Sequence, residues 1–192
     1  MMKDNTLLFA KVHPDAKIPA KSAGNAGYDV YACFDEDFMI IPSFSTVMIP
    51  TVIASAMSDK YYIQIEERGS TGSKGMKKSA GVIDSSYRGE WFIAITNCDR
   101  RDIFISKLSK DELFDKYGTI VAETIVNGKE KAIKTEDVWY IEETTVVYPY
   151  DKAIAQAVVH EVPAMDIEEI PYNELKNIPS ERGDGKLGST GK

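Results

Sequence analysis

Tyr61-Tyr62-Ile63-Gln64-Ile65-Glu66 alternates strictly: positions 61, 63 and 65 are apolar, whereas Gln64 and Glu66 are polar. Successive side chains leave a β-strand on opposite faces, so this period of two predicts a half-buried strand. Trp91-Phe92-Ile93-Ala94-Ile95-Thr96 and Ala157-Val158-Val159-His160-Glu161-Val162 read the same way, with both faces more apolar. Turn signals separate such runs: His13-Pro14-Asp15, Gly24-Asn25, Ile41-Pro42-Ser43, the stretch from Gly69 to Gly75, and that from Asn97 to Arg101. Many short strands with few helices predict an all-β chain, folded as an antiparallel barrel or sandwich.

One stretch breaks the pattern. Ser109-Lys110-Asp111-Glu112 has the form of a capping box, Leu113, Phe114 and Tyr117 follow at helical spacing, and Gly118 reads as a stop. A short helix over 109–117 is predicted. Residues 100–144 around it are rich in charge and carry an Asn127-Gly128 hairpin signal, so this region reads as a small α/β insertion folded onto the edge of the barrel. The last stretch differs again. Gly183, Gly185, Gly188 and Gly191 punctuate a segment with almost nothing to place in a core, which predicts a flexible arm. The expected organisation is a barrel domain over 1–178, with the insertion at about 100–144, and an arm over 179–192.

Length and charge narrow the functions. The 192 residues suit about one domain with ample sequence for a core, and 30 acidic against 23 basic side chains give a net charge of −7. That balance argues against a broad grip on nucleic acid or an anionic membrane, but not against one phosphorylated small molecule. The two cysteines, Cys33 and Cys98, are too few and too far apart for a disulfide framework or a zinc site, and they suit a reducing cytoplasm. No apolar run reaches the roughly 18 residues that span a bilayer.

Four segments carry chemistry on their own terms. Arg68-Gly69-Ser70-Thr71-Gly72-Ser73-Lys74-Gly75 offers close-approaching backbone, hydroxyls and two cations, as a phosphate cradle requires, although read alone it is equally a mobile hairpin tip. Gly81-Val82-Ile83-Asp84-Ser85-Ser86-Tyr87-Arg88-Gly89-Glu90 puts a carboxylate three residues before an aromatic ring, on a short connection into a strand. Gly24-Asn25-Ala26-Gly27-Tyr28-Asp29 is a tight turn with a second carboxylate. The arm holds Arg182 at its head and Ser189-Thr190 near its end, which suits closure over a phosphorylated ligand.

Taken together and in this order, the segments resemble the five motifs of the homotrimeric dUTPase family: AGYD (26–29), RGSTGSKG (68–75), GVIDSSYRGE (81–90), AIAQ (153–156) and RGDGKLGSTG (182–191). The likeness covers nearly the whole chain outside 100–144. It implies a distorted antiparallel barrel of jelly-roll type and hydrolysis of dUTP to dUMP and pyrophosphate. By the resemblance, Asp84 holds and deprotonates the attacking water, and Arg182 reaches over the triphosphate. Tyr87 packs under the deoxyribose and leaves no room for a 2′-hydroxyl, while the backbone of Gly81, Val82 and Ile83 reads the uracil edge. Arg68, Gly69, Ser70 and Gln156 contact phosphates; Leu187, Gly188, Ser189 and Thr190 belong to the closing arm.

The resemblance further implies Mg²⁺ held by substrate phosphates with no direct protein ligand, Asp29 reaching it only through water, and a trimer in which chains share each site. The chain departs from the family pattern at Leu187, where phenylalanine is usual, at Ala153, where arginine is common, and in the insertion. Enlarged loops at this place occur in phage members that bind regulatory proteins, so a second, protein-binding surface is an expectation for the insertion. Two alternatives stand beside the hydrolase: a dCTP deaminase of the same fold, and a dUTP-binding regulator acting through residues 100–144.

Overall fold

The computed structural model describes residues 5–125, 145–181 and 183. The Asn127-Gly128 turn signal and, in the arm, Arg182, Leu187, Gly188, Ser189 and Thr190 lie outside the described residues. The chain divides into two compact units, Met1–Val162 and Pro163–Lys192.

The first unit is built mainly of strands, gathered among the described residues into four small sheets. β1 (Leu8–Lys11) pairs with β5 (Ile53–Ala56), and β4 (Thr46–Pro50), β9 (Phe92–Asn97) and β7 (Met76–Lys78) form a second sheet. β11 (Val146–Pro149), β10 (Ile103–Ser106) and β3 (Phe38–Ile41) form a third. The fourth, in the order β2 (Gly27–Val30), β12 (Ala155–Glu161), β6 (Tyr61–Glu66), β8 (Val82–Ile83), carries parts of the segments 26–29, 81–90 and 153–156, and its strand β6 leads into the segment 68–75.

The alternation that opened the sequence reading is realised in β6. Ile63 and Ile65 are fully buried, while Gln64 and Glu66 are half-buried. Ile63 and Ile65 join Ile41, Ile49, Ile53, Trp91, Ile93, Ile95 and Tyr148 in one apolar core. Each such side chain contributes about 1.5–3 kcal/mol on burial, so the isoleucine-rich inner faces carry the fold.

The region expected to be an insertion is partly core. Ile103 and Ile105 of β10 belong to the main core, and β10 pairs antiparallel with β3. On its other side β10 pairs in parallel with β11, in register Ile103↔Val146, where the sequence predicted only antiparallel pairing. A parallel pair needs a long crossover, and α2 (Lys110–Ile125) lies on it. The expected capping box forms: the Ser109 N–H donates to Glu112 Oε2 at 2.9 Å, and the Glu112 N–H donates to Ser109 Oγ at 3.3 Å. The Ser109 hydroxyl, donating to Glu112 Oε2 at 2.7 Å, and then the Ser109 N–H hold the Glu112 carboxyl below its ordinary range. Gly118, however, does not end the helix, which continues to Ile125. A glycine inside a helix costs only about 1 kcal/mol, too little by itself to end one.

Leu113 and Phe114 pack with Phe104 into a second small core, which fastens α2 to the outer face of β10. Lys116 Nζ and the Tyr117 hydroxyl both donate to Asp37 Oδ2, at 2.7 and 2.6 Å, and lower the Asp37 carboxyl's pKa, Lys116 having the larger effect. The glycine/serine loop was expected to be a hairpin tip; it is instead one helical turn, α1 (Gly69–Gly72). Thr71, buried beneath it, accepts from the Arg68 N–H at 3.0 Å and donates to the Arg68 carbonyl at 2.9 Å. In the second unit, the described residues include one short helix, α3 (Tyr172–Asn177).

Between β4 and β5 the chain makes an unusual step at Val52, where φ is 54°. This left-handed region costs an L-residue roughly 1–2 kcal/mol, and a β-branched side chain fits it poorly. Val52→Gly should therefore unfold at higher denaturant than Val52→Ala by about 1 kcal/mol, reversing the usual order in which glycine is the weaker substitute. Chemical unfolding of the two variants checks this.

Candidate functional site

The register of β12 gathers the first site. Gln156 stands opposite Asp29 of β2 on one side and Glu66 of β6 on the other, so the start of β12, the middle of β2 and the end of β6 meet at one level. Two residues past β6, Arg68 turns back across this level. Its Nε donates to Asp29 Oδ1 at 2.9 Å and its Nη1 to the Ala153 carbonyl at 3.3 Å. Both partners of the ion pair are about one-third exposed, so the contact orients the guanidinium more than it stabilises the fold.

A cavity of about 660 Å³ opens here, lined by Arg68, Gly69, Ser70, Asp29 and Gln156 together with Lys21, Ser22 and the Gly24–Gly27 turn. The turn lies directly on Gln156: a Cβ placed on Gly27 would sit 3.0 Å from Gln156 Cβ and collide with its amide oxygen. Gln156 Nε2 in turn donates to the Glu67 carbonyl at 2.9 Å, which locks the amide. Lys21 was missed in the sequence. Its Nζ donates to the Asn25 carbonyl and lies 5.1 Å from the Tyr28 ring centroid, so it arches over the turn and adds a cation to the cavity rim. Two cations, Lys21 and Arg68, thus face one carboxylate, Asp29, and small residues bring backbone close to any ligand. That combination suits a polyphosphate. The signal in the sequence was the run of small residues around Lys21, Lys21-Ser22-Ala23-Gly24-Asn25-Ala26-Gly27, rather than the lysine itself.

The second site lies on the opposite edge of the same sheet. β8 pairs with β6 in the register Ile63↔Ile83 and Gln64↔Val82, and the Ile65 N–H donates to the Gly81 carbonyl at 2.7 Å. A Cβ on Gly81 would come 2.8 Å from Gln64 Nε2 and 3.0 Å from the Ile65 carbonyl oxygen, so glycine is what lets this edge lie down. Past β8 the Tyr87 N–H donates to the Asp84 carbonyl at 3.1 Å and closes a turn, leaving the carboxylate of Asp84 and the ring of Tyr87 exposed. Arg88 braces it, its Nη1 donating to the Ser85 and Tyr87 carbonyls at 2.6 and 2.8 Å.

Asp84 and Tyr87 are not among the residues lining the cavity. Extending the β6–β8 register puts Asp84 opposite Tyr62, about 13 Å along the sheet from the Glu66 level, and three strand spacings, about 14 Å, from Asp29. The two groups are therefore about 20 Å apart within one chain. The structure brings together Asp29, Arg68, Gly69, Ser70 and Gln156 as one half, and Gly81, Val82, Ile83, Asp84 and Tyr87 as another.

Residues 15–110 match the family model described as dUTPase. This chain belongs to the dUTPase family. Among curated dUTPases, the deoxyuridine 5′-triphosphate nucleotidohydrolase of Candida albicans is 29% identical over 181 residues, covering 93% of this chain and 84% of that protein. The probable deoxyuridine 5′-triphosphate nucleotidohydrolase of Schizosaccharomyces pombe is 33% identical over 119 residues, covering 61% of this chain and 79% of the other. Among solved structures, the Staphylococcus bacteriophage 80alpha dUTPase with dUpNHpp has a TM-score of 0.65 at 21% identity, covering 98% of this chain and 99% of that one. The fold is thus shared with a phage dUTPase.

Because Gly27 rests on Gln156, Gly27→Ala should lower the unfolding free energy by about 1–3 kcal/mol, as overpacking does. Truncating the obstructing partner should restore most of it, so Gly27→Ala/Gln156→Ala is expected to unfold close to Gln156→Ala alone. Equilibrium denaturation of the three variants is the measurement.

Proposed function

We propose that this chain is a dUTP diphosphatase that joins water to the α-phosphorus of dUTP and releases dUMP and pyrophosphate. The observation that carries the reading is the pairing, on one sheet, of a cation-lined backbone cradle with a separate hairpin presenting an exposed carboxylate and ring. In this reading Arg68, Gly69, Ser70 and Gln156 hold phosphate oxygens, with Asp29 orienting Arg68. Asp84 accepts the proton of the attacking water as its oxygen bonds to phosphorus, and the pyrophosphate oxygen leaves with the electron pair. The Gly81–Ile83 backbone pairs with the uracil imide edge, a pattern that cytosine would leave unpaired. The exposed Tyr87 ring lies under the sugar and excludes a 2′-hydroxyl. Arg182, Leu187, Gly188, Ser189 and Thr190 are proposed to close over the nucleotide.

A general base must come within about 2.6–3.2 Å of the oxygen whose proton it takes. Asp84 cannot do so for a phosphate bound about 20 Å away. The separation supports a homotrimer in which the hairpin of one copy completes the cavity of a neighbour. Magnesium, when bound, would neutralise the charge of the triphosphate. Among the described residues no group of three or more His, Cys, Asp or Glu side chains is placed to hold a metal, and the cavity's Asp29 is engaged with Arg68. In the same reading the ion would be held by the substrate's phosphate oxygens, with Asp29, engaged with Arg68, reaching it only through water.

We assign the chain to the cytoplasm. No helix among the described residues is long and apolar enough to cross a membrane, and Cys33 and Cys98 are free thiols. The separately cored helix α2 supports a second role for the insertion, binding a regulatory protein. The phage 80alpha dUTPase is described as belonging to phage enzymes that control transfer of virulence genes by a G protein-like mechanism. A dCTP deaminase of the same fold would instead release ammonia from dCTP.

With Mg²⁺ present, pyrophosphate release is expected from dUTP and not from UTP, dTTP or dCTP, and chelation by EDTA should suppress it. Asp84→Asn should cost about 10²–10⁴ in turnover, the range of a lost general base. Arg68→Ala and Asp84→Asn subunits, each inactive alone, should regain activity when mixed and reassembled, because some cavities then meet an intact hairpin. A monomer on size-exclusion chromatography, or no recovery on mixing, would refute the shared site.

A further inference from the structure

The Tyr87 ring is exposed to 45% of its surface, yet it is not free to swing. Its hydroxyl donates to the Glu90 carbonyl at 2.9 Å. The hydroxyl end of the ring lies against Gly89: a Cβ there would sit 2.6 Å from Cζ and 3.0 Å from Cε2, so a larger residue would displace it. An exposed ring tied to a main-chain oxygen is only as well placed as that oxygen.

The half-buried side chain of Glu90 reaches back to the body of the protein. Its Oε1 accepts from the Val52 N–H at 3.2 Å, and Val52 is the residue held at φ 54°. The strained step is fixed from several directions. The Val52 carbonyl accepts from the Val12 N–H at 2.9 Å. Thr51 donates to the Trp91 carbonyl through its N–H at 3.2 Å and its Oγ1 at 2.6 Å, and the Trp91 N–H donates to the Ile53 carbonyl at 2.9 Å. A left-handed valine persists only where its surroundings over-determine it, and such strain gathers where a position has to be exact. Here the over-determined step grips residues 90 and 91, the two that follow the hairpin.

We infer that Glu90 is a positioning residue for sugar discrimination: its carboxylate, seated on the strained Val52 N–H, fixes the carbonyl that holds the Tyr87 ring in place. The inference rests on the proposed role of Tyr87 as the wall under the deoxyribose. A ring that excludes one hydroxyl must be located to within a fraction of an ångström, and its neighbour Gly89 offers no side chain to hold it. The path from the core to the ring runs Ile53, Trp91, Glu90, Tyr87.

The test is the ratio of kcat/KM for dUTP to that for UTP, measured on the full chain and on Tyr87→Ala, Tyr87→Phe, Glu90→Ala and Glu90→Gln, with thermal melting to confirm folding. Tyr87→Ala should collapse the ratio. Tyr87→Phe keeps the ring but drops its bond, and Glu90→Ala drops the carboxylate; each should lower the ratio about tenfold. The Tyr87→Phe/Glu90→Ala double variant should be no worse than either alone, since both cut one linkage. Glu90→Gln keeps an acceptor oxygen and should stay within about twofold of the parent. A merely structural glutamate would lower both kcat/KM values together and leave their ratio unchanged. A folded Glu90→Ala with the parental ratio overturns the inference, as does a double variant whose losses multiply. Should Glu90→Ala not fold, an unchanged ratio in Tyr87→Phe overturns it alone. An unchanged ratio in Tyr87→Ala would refute the role of Tyr87 itself, and the inference with it; a collapse there with no change in Tyr87→Phe or Glu90→Ala refutes only the part given to Glu90.

Discussion

The placement of β12 between β2 and β6 is the constraint on which the rest depends. Hydrogen bonding on both sides leaves the strand one register, and that register puts Gln156 beside Asp29 and Glu66 at once. A slip of one residue would turn Gln156 toward the core and bring Ala155 or Ala157 to the cavity. The core prevents it, because Ala155 and Ala157 are buried beside Ile63 and Ile65. Packing of small and branched apolar side chains on one face thus aims the polar groups on the other.

Much of this was legible in the sequence. The alternation over 61–66 gave a strand with those bounds, and the Ser109-to-Glu112 box marked the start of a helix correctly. What escaped was decided by contacts between distant segments. Gly118 reads as a stop when only its neighbours are considered. The parallel pairing of β10 with β11 depends on a crossover whose course no local pattern encodes. Lys21 enters the cavity because a turn folds back, and the small residues that follow it signal the turn but not where the lysine ends up. Val52 has a good β-strand residue's identity and a left-handed backbone, a conflict visible only once Glu90, Thr51 and Trp91 surround it.

Of the residues singled out in the sequence, Asp29, Arg68, Gly69, Ser70 and Gln156 line one cavity, whereas Asp84 and Tyr87 do not. The family resemblance grouped Asp29, Arg68, Asp84 and Gln156 in a site shared between chains, and strand order places Asp84 beyond β8, one strand from the β6 that leads to Arg68, two from Gln156 and three from Asp29. Charge follows the same division. The chain as a whole is acidic at −7, whereas Lys21 and Arg68 against Asp29 leave the cavity locally positive. An anion entering such a cleft is drawn by near groups against a repulsive background that salt screens over about 8–10 Å.

The length of the crossover from β10 to β11 is not dictated by the core. Both strands are anchored by their own buried residues, and enlarging the link between them costs only about 0.6 kcal/mol for each doubling of its length. The helix on that link has a small apolar floor of its own in Phe104, Leu113 and Phe114. Natural selection can therefore lengthen, shorten or resurface this segment almost independently of the sheet that carries the chemistry. The link thus behaves as a graft whose size and surface are set largely apart from the four-stranded sheet.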